Sequence, residues 1–280
     1  MGQILRCGRF RLKLDRPLIM GVLNVTPDSF AEAAPSTQLE VVLERAHQMI
    51  AQGADLIDIG GESTRPGALP VPEEEEAARV LPVLEALRDT GVPLSVDTSR
   101  PRLMRRALDR GADLINDITG FRDPQAIAAV AAADCALCIM HMQGEPRTMQ
   151  QRPQYDDVAL DVKAFLQDRC DAVLAAGVAS GRILIDPGFG FGKTQSQNYE
   201  LLRRLPEARA GDFPWLIGVS RKSMIGHVTG RIPVERVAGS IAAALAAVAR
   251  GAAMVRVHDV AATRDALRVW QAVEHGVNDG

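Results

Sequence analysis

Eight short apolar runs rich in Val, Ile and Leu recur along the chain, at residues 18–23, 55–59, 93–96, 113–115, 136–140, 182–185, 215–219 and 254–257. Runs of this length and composition read as strands buried on both faces, as in a parallel sheet. Between them lie segments of helical period, including 39–52, 73–90, 103–110, 157–176 and 234–250. Strict alternation of strand and helix, repeated for every run, leaves two architectures: a closed parallel barrel or a doubly wound sheet. Gly53, Gly91, Gly111, Gly177 and Gly251 each succeed a helical segment, where a left-handed cap is needed before the chain enters the next strand. Pro72 ahead of Glu73, Glu74, Glu75 and Glu76 marks a helix start, with negative charge at the positive end of the helix dipole.

The residues at the C-terminal ends of the apolar runs decide between the two. The runs end in Asn24, Gly61-Glu62-Ser63-Thr64-Arg65, Asp97, Asn116-Asp117, His141, Asp186, Ser220-Arg221-Lys222, and Arg256 with His258. In a barrel the C-terminal strand ends form one active-site face, so residues far apart in sequence converge there. A doubly wound sheet would gather them at one switch point. The expected fold is therefore an α/β (β/α)8 TIM barrel, a single domain over residues 1–280, with its core over about 18–275. An Asp or Asn after a strand is equally a cap or turn residue when taken alone. All the strand ends together ask for more than capping.

Composition removes several classes of function. A net charge of −3 argues against a polyanionic partner. Arg102, Arg105, Arg106 and Arg110 form a basic helical face without interleaved aromatics, which reads as solvated surface, so no nucleic acid is expected. Residues 1–17 alternate charged and apolar side chains without the apolar centre of an export signal, and no stretch approaches about 18 uninterrupted apolar residues, so no membrane segment is expected. Cys7, Cys135, Cys138 and Cys170 are too few and scattered for a disulfide framework, and a cytoplasmic location is expected.

Three tempting motifs fail. Gly192-Lys193-Thr194 ends like a P-loop, but the first glycine that motif demands falls on Pro187. Cys135-Ala-Leu-Cys138 has redox spacing, yet on a strand the two thiols point to opposite faces and read as packing residues. No His-x-x-x-His pair suggests a catalytic zinc. The remaining set has a chemical logic. Asp97 and Asp186 with Asn116 and Lys222 suit a flat heterocycle carrying adjacent N–H donors and a carbonyl. Arg65, Arg256 and His258 suit a diphosphate. The turn at Lys222-Ser223, opening a helix, offers backbone N–H groups to a carboxylate.

The motifs Asn24-Val-Thr-Pro-Asp-Ser-Phe30, Gly60-Gly-Glu-Ser-Thr-Arg-Pro-Gly67, Ser95-Val-Asp-Thr98, Met140-His-Met-Gln-Gly144, Asp186-Pro-Gly-Phe-Gly-Phe-Gly-Lys193 and Gly218-Val-Ser-Arg-Lys-Ser223 occur in that order. Together they resemble the dihydropteroate synthase family over nearly the whole chain. The resemblance implies condensation of 4-aminobenzoate with 6-hydroxymethyl-7,8-dihydropterin diphosphate, by a dissociative mechanism with Mg2+, in a homodimer. It implies pterin binding by Thr64, Asp97, Asn116, Asp186 and Lys222. It implies diphosphate binding by Asn24, Arg65, Arg256 and His258, with Asn24 near the metal, and aminobenzoate binding by Pro66 and Ser223. Asp97, Lys222, Arg256 and His258 are the catalytic candidates. One departure stands out: Ala31-Glu32-Ala33-Ala34 replaces the family's usual Ser-Asp-Gly-Gly, and two alanines restrict backbone that two glycines leave free.

Three rival readings share these residues. A methyltransferase acting between methyltetrahydrofolate and a corrinoid protein would keep the pterin pocket but would not need Arg65, Arg256 and His258. A catalytically silent pterin-binding paralogue would rest on the altered first loop. An aldolase using Lys222 as a Schiff base would need a low-pKa amine, which neighbouring Arg221 alone does not establish. His141 has no role derived from the sequence.

Overall fold

A computed structural model describes residues 3–25, 35–62, 71–145 and 148–277. A hairpin, β1 (Ile4–Cys7) and β2 (Phe10–Lys13), comes first. Eight strands come after it: β3 (Leu18–Asn24), β4 (Leu56–Gly60), β5 (Leu94–Asp97), β6 (Leu114–Asp117), β7 (Ala136–Met140), β8 (Ile183–Asp186), β9 (Trp215–Ile217) and β10 (Ala252–Val257). They close into a parallel barrel in chain order, with β10 pairing β3. The helices packed outside are α1 (Pro35–Ala51), α2 (Glu73–Leu87), α3 (Pro101–Asp109), α4 (Pro124–Ala131), α5 (Val158–Ala175), α6 (Gln195–Arg203), α7 (Ser223–Thr229), α8 (Val237–Val248) and α9 (Val260–His275). The expected (β/α)8 barrel is therefore the fold. None of these helices is long and apolar enough to cross a membrane.

The strand period of two sorts the core into layers. Ile19, Ile57, Ile59, Val96, Ile115, Ile139, Ile185, Ile217 and Val255 face the helices in one continuous cluster. Leu18, Met20, Leu56, Leu114, Cys138, Leu184, Leu216 and Met254 form a second cluster, in the barrel interior. Cys135 belongs to the first and Cys138 to the second, so the two thiols do pack on opposite sides of the sheet. All four cysteines are free and buried, and burial pushes the thiol of Cys135 up to about 11. The glycines after α1, α2, α3, α5 and α8 take the left-handed backbone that ends a helix, with φ between 80° at Gly91 and 97° at Gly53.

Two features differ from the sequence reading. β9 stops at Ile217, because its pairing with β8 is confined to Trp215 opposite Ile185, and Gly218 and Val219 leave the sheet. The alternation in residues 1–17, which served only to exclude an export signal, is the signature of the hairpin. Leu5 and Cys7 point from it into the interior cluster and close the N-terminal end of the barrel. Asp113, 1 % exposed, joins the hairpin to that end: it accepts hydrogen bonds from the Arg9 backbone N–H at 3.1 Å, Arg9 Nε at 3.0 Å, Arg9 Nη2 at 2.9 Å and the Leu94 N–H at 3.1 Å. Asp113→Ala should lower stability by about 1–3 kcal/mol, since it strands the buried Leu94 N–H and unpairs the exposed Arg9 guanidinium. Urea unfolding measures this; a loss below about 0.5 kcal/mol would show that the hairpin is held by other means.

Candidate active site

Strand register builds the site. Asn24 pairs with Gly60, Gly60 with Asp97, and Asp97 with Asn116, so four consecutive strands present one lateral row at their C-terminal ends. Across the barrel Met140 pairs with Asp186. Two positions in this ring are glycines. A side chain at Gly60 would sit 3.8 Å from Asn24 Oδ1 and 3.8 Å from Asp97 Cβ. One at Gly218 would lie 3.9 Å from each of Asp186 Oδ2, Lys222 Nζ and Arg256 Cβ. At both positions the backbone thus comes within a methyl group's width of the polar side chains.

Beneath the row lies a residue that sequence reasoning missed. Asp58, fully buried on β4, accepts from Arg256 Nε at 2.6 Å, Ser95 Oγ at 2.5 Å and Asn116 Nδ2 at 3.3 Å. Arg256 Nη2 donates to Asp97 Oδ2 at 2.9 Å. One guanidinium therefore bridges two carboxylates. The signal was present in the sequence: a charged residue inside Leu56-Ile57-Asp58-Ile59-Gly60 is costly in a strand buried on both faces unless it is paired. Burial raises the Asp97 carboxyl to about 7, against the opposing pull of Arg256, with Asp58, Glu76 and Asp117 adding repulsion. Asn116 Oδ1 is buried and has no hydrogen-bond partner among the described residues, an acceptor left for a ligand donor.

On the other side Asp186 Oδ1 accepts from the Gly188 N–H at 2.7 Å. Burial pushes Asp186 up, opposed by Lys222, the Gly188 N–H, Arg256 and Lys193. Lys222 donates to the Phe189 carbonyl and lies 4.6 Å from the centre of the Phe191 ring. Burial lowers its ammonium to about 8, partly offset by Asp186. Arg221, in left-handed backbone at φ 58°, turns away into an ion pair with Asp259. Its positive φ is the device that aims Lys222 inward.

His258 Nδ1 lies 3.0 Å from Ser220 Oγ, and its backbone N–H donates to the same oxygen at 3.2 Å. Ser223 opens α7 and accepts weakly from Gln195 Nε2 at 3.4 Å. Asp117 serves its own turn, accepting from the Thr119 and Phe121 N–H groups at 2.8 and 2.9 Å. The structure therefore brings together Asn24, Asp97, Asn116, Asp186, Lys222 and Arg256, with His258 and Ser223 on the adjoining loops. Thr64, Arg65, Pro66 and the Ala31-Glu32-Ala33-Ala34 segment lie outside the described residues. Two donors of Arg256, Nε and Nη2, are committed to Asp58 and Asp97.

The family model described as pterin binding enzyme matches residues 20–258, spanning every barrel strand except the first two residues of β3. A dihydropteroate synthase of Neisseria meningitidis serogroup B is 52% identical over 280 residues, covering 98% of both chains. The chain belongs to the dihydropteroate synthase family. Two solved family structures agree with this fold. Burkholderia cenocepacia dihydropteroate synthase complexed with 7,8-dihydropteroate superimposes with a TM-score of 0.90 at 57% identity, over 98% of this chain and 97% of that one. Xanthomonas albilineans dihydropteroate synthase with 4-aminobenzoic acid gives 0.92 at 49% identity, over 98% of this chain and 99% of that one. Like other dihydropteroate synthases, the chain is a transferase.

The Asp58–Arg256–Asp97 bridge makes a measurable claim. Removing the Asp58 charge with Asp58→Asn removes a repulsion on Asp97, so the Asp97 titration should move to lower pH. Carboxyl carbon chemical shifts measured against pH read this directly; a move to higher pH would contradict the assigned network.

Proposed function

We propose that this chain condenses (7,8-dihydropterin-6-yl)methyl diphosphate with 4-aminobenzoate, giving 7,8-dihydropteroate and diphosphate in folate biosynthesis. The observation that carries this reading is the unpartnered, buried Asn116 Oδ1 in a ring with Asp97, Asp186 and Lys222. Such a ring matches the edge of a pterin. Asp186, as a carboxylate, accepts two N–H bonds from the guanidine-like edge. Asn116 and Asp97 take further ring N–H groups, and Lys222 donates to the ring. Thr64 completes the pterin set, while Pro66 and Ser223 border the aminobenzoate. The molecules bound by the Burkholderia and Xanthomonas relatives support both substrates.

The reaction runs by breaking the bond between the pterin methylene carbon and the diphosphate oxygen first, the electron pair leaving with diphosphate. The weakly basic aromatic amine then forms the C–N bond and loses a proton. Charge placed in advance serves such a step better than a strong base. Asp97, when ionised, lies where positive charge develops on the pterin. Asn24, Arg65, His258 and the uncommitted N–H groups of Arg256 receive the departing anion. Arg256 has two tasks, since holding Asp97 at 2.9 Å also keeps that carboxylate in place.

Mg2+ fits this donor set. Among the described residues no group of three or more His, Cys, Asp or Glu side chains is placed to hold a metal ion. A Mg2+ held by one or two protein oxygens and substrate phosphates needs none, and Asn24 offers Oδ1 near Asp97, both flanking Gly60. When bound, the ion neutralises charge on the leaving diphosphate. A second copy of the chain would cover the exposed apolar side chains Val228 on α7, Ile232 and Val234 between α7 and α8, and Val269 and Val273 on α9, giving a homodimer. The buried, unpaired cysteines suit the cytoplasm.

Sustained, multiple-turnover diphosphate release should require the pterin diphosphate, 4-aminobenzoate and Mg2+ together; sustained turnover of the pterin diphosphate without 4-aminobenzoate would point to hydrolysis instead. Lys222→Ala should weaken pterin binding about 100-fold, as expected for loss of a charged hydrogen bond, and unchanged affinity by calorimetry would count against the site. Because Asp97 acts as a carboxylate, kcat/KM for the pterin diphosphate should fall as pH drops through about 7. In Asp97→Asn the rate should be low throughout and that limb absent.

A further inference from the structure

Among the described residues, Lys193 is a buried amine near this site to which the proposed reaction gives no task; burial pulls its ammonium well below the ordinary lysine range, against the pull of Asp186. It is 2 % exposed. Its Nζ lies 2.9 Å from His141 Nδ1 and donates to the Gly188 carbonyl at 2.9 Å and the Phe191 carbonyl at 3.1 Å. Three acceptors match the three N–H bonds of an ammonium. His141, 4 % exposed, is itself fixed: its ring packs edge-on against Phe165 at 4.9 Å, and its backbone N–H donates to the Asp186 carbonyl at 2.9 Å. Lys193 therefore ties the 188–191 turn to the residue after β7, alongside Asn198 Oδ1, which accepts from the Gly190 N–H at 2.7 Å, and Gln150 Nε2, which donates to the Gly190 carbonyl at 2.6 Å.

That turn shapes the pterin site. Gly188 donates to the Asp186 carboxylate, and the Phe189 carbonyl receives Lys222. The Phe191 ring flanks Lys222, and the Gly190 backbone, at φ 80°, lies so close to it that a Cβ would stand 3.3 Å from Lys222 Cδ. Gly188, at φ 67°, packs so tightly on β7 that a Cβ there would lie 1.8 Å from the His141 carbonyl. We propose that Lys193 is a positioning residue for pterin binding: its ammonium, held by His141 and two carbonyls, helps fix the turn that orients Asp186 and Lys222 and adds to the positive charge that Lys222 and Arg256 already direct at Asp186. The inference rests on the proposed pterin site. It also assigns His141 a role, as a neutral imidazole that accepts at Nδ1 and carries its proton on Nε2.

The charge has a direction. Asp186 is faced by Lys222 after β9, Arg256 on β10, Lys193 from its own loop and the Cys138 thiol on β7, and burial raises its carboxyl against the pull of the three cations. Without Lys193 the carboxyl rises further, so the pH below which pterin binding fades moves up. A change that merely loosened the fold would not shift that limb.

Lys193→Met and Lys193→Arg, with wild type in parallel, test the proposal. Lys193→Met should raise KM for the pterin diphosphate by about tenfold, leave KM for 4-aminobenzoate within about twofold, and move the acid limb of 7,8-dihydropterin affinity, measured by calorimetry, up by about half a pH unit or more. Lys193→Arg should retain the wild-type limb. A cooperatively folded Lys193→Met with unchanged pterin KM and an unmoved limb overturns the proposal, as does an equal rise in both KM values with no pH shift. If Lys193→Met fails to fold, 15N shifts of His141 in the wild type decide: an Nε2–H tautomer that does not titrate between about pH 5 and 8 supports the arrangement, and a proton on Nδ1 overturns it. Failure of the pterin reading itself would show separately, as absence of dihydropterin binding and diphosphate release in the wild type.

Discussion

Closure of the sheet by the parallel pairing of β10 with β3 is the constraint on which the rest of this molecule depends. It brings Arg256 against Asp58, 198 residues away in sequence, and against Asp97, 159 residues away. An open sheet would leave one guanidinium and two carboxylates at opposite edges. In the closed barrel they form a bridge across the interior, and the lower apolar layers and the N-terminal hairpin seal the far end beneath it. The active face is thus the part of the barrel interior where the packing of Leu, Met and Ile stops and paired charge begins.

Burial then sets the electrostatics. Asp97 and Asp186 are pushed up, and Lys222 is pulled down, because each is held away from water. Each is drawn back toward its charged form by partners on other strands. Such a site contains more charge than its own pairings satisfy, and the Asn116 oxygen has no partner among the described residues. A ligand with several N–H donors along one edge resolves these demands together, whereas water or a simple anion meets only some of them. In the proposed reaction, electrostatic preorganisation and selectivity for a pterin come from the same burial.

Some of this was legible residue by residue. Asp97, Asn116, Asp186 and Lys222 could be singled out because each breaks an apolar pattern at a strand end. Asp58 breaks one in mid-strand, a weaker signal that acquires meaning only when Arg256 is seen against it. The hairpin was hidden in plain alternation, since period two alone does not say which core a strand will cover. Lys193 looked like the remnant of a phosphate loop; the broken spacing excluded that role, but nothing in the spacing could say that the ammonium turns inward to His141.

By itself the sequence determined the strand and helix periods, hence the barrel, and the chemical types gathered on its active face, because these stem from local pattern and from the rule that strand ends converge. Tertiary structure alone decided which groups neutralise which. Arg256, read from the sequence as an anion-binding group, also commits two donors to Asp58 and Asp97. Arg221 and Lys222 are adjacent in the chain yet face opposite ways, because Arg221 itself takes the left-handed backbone. Pairing energies depend on distances of a few ångströms between residues more than a hundred positions apart, and only the closed barrel supplies those distances.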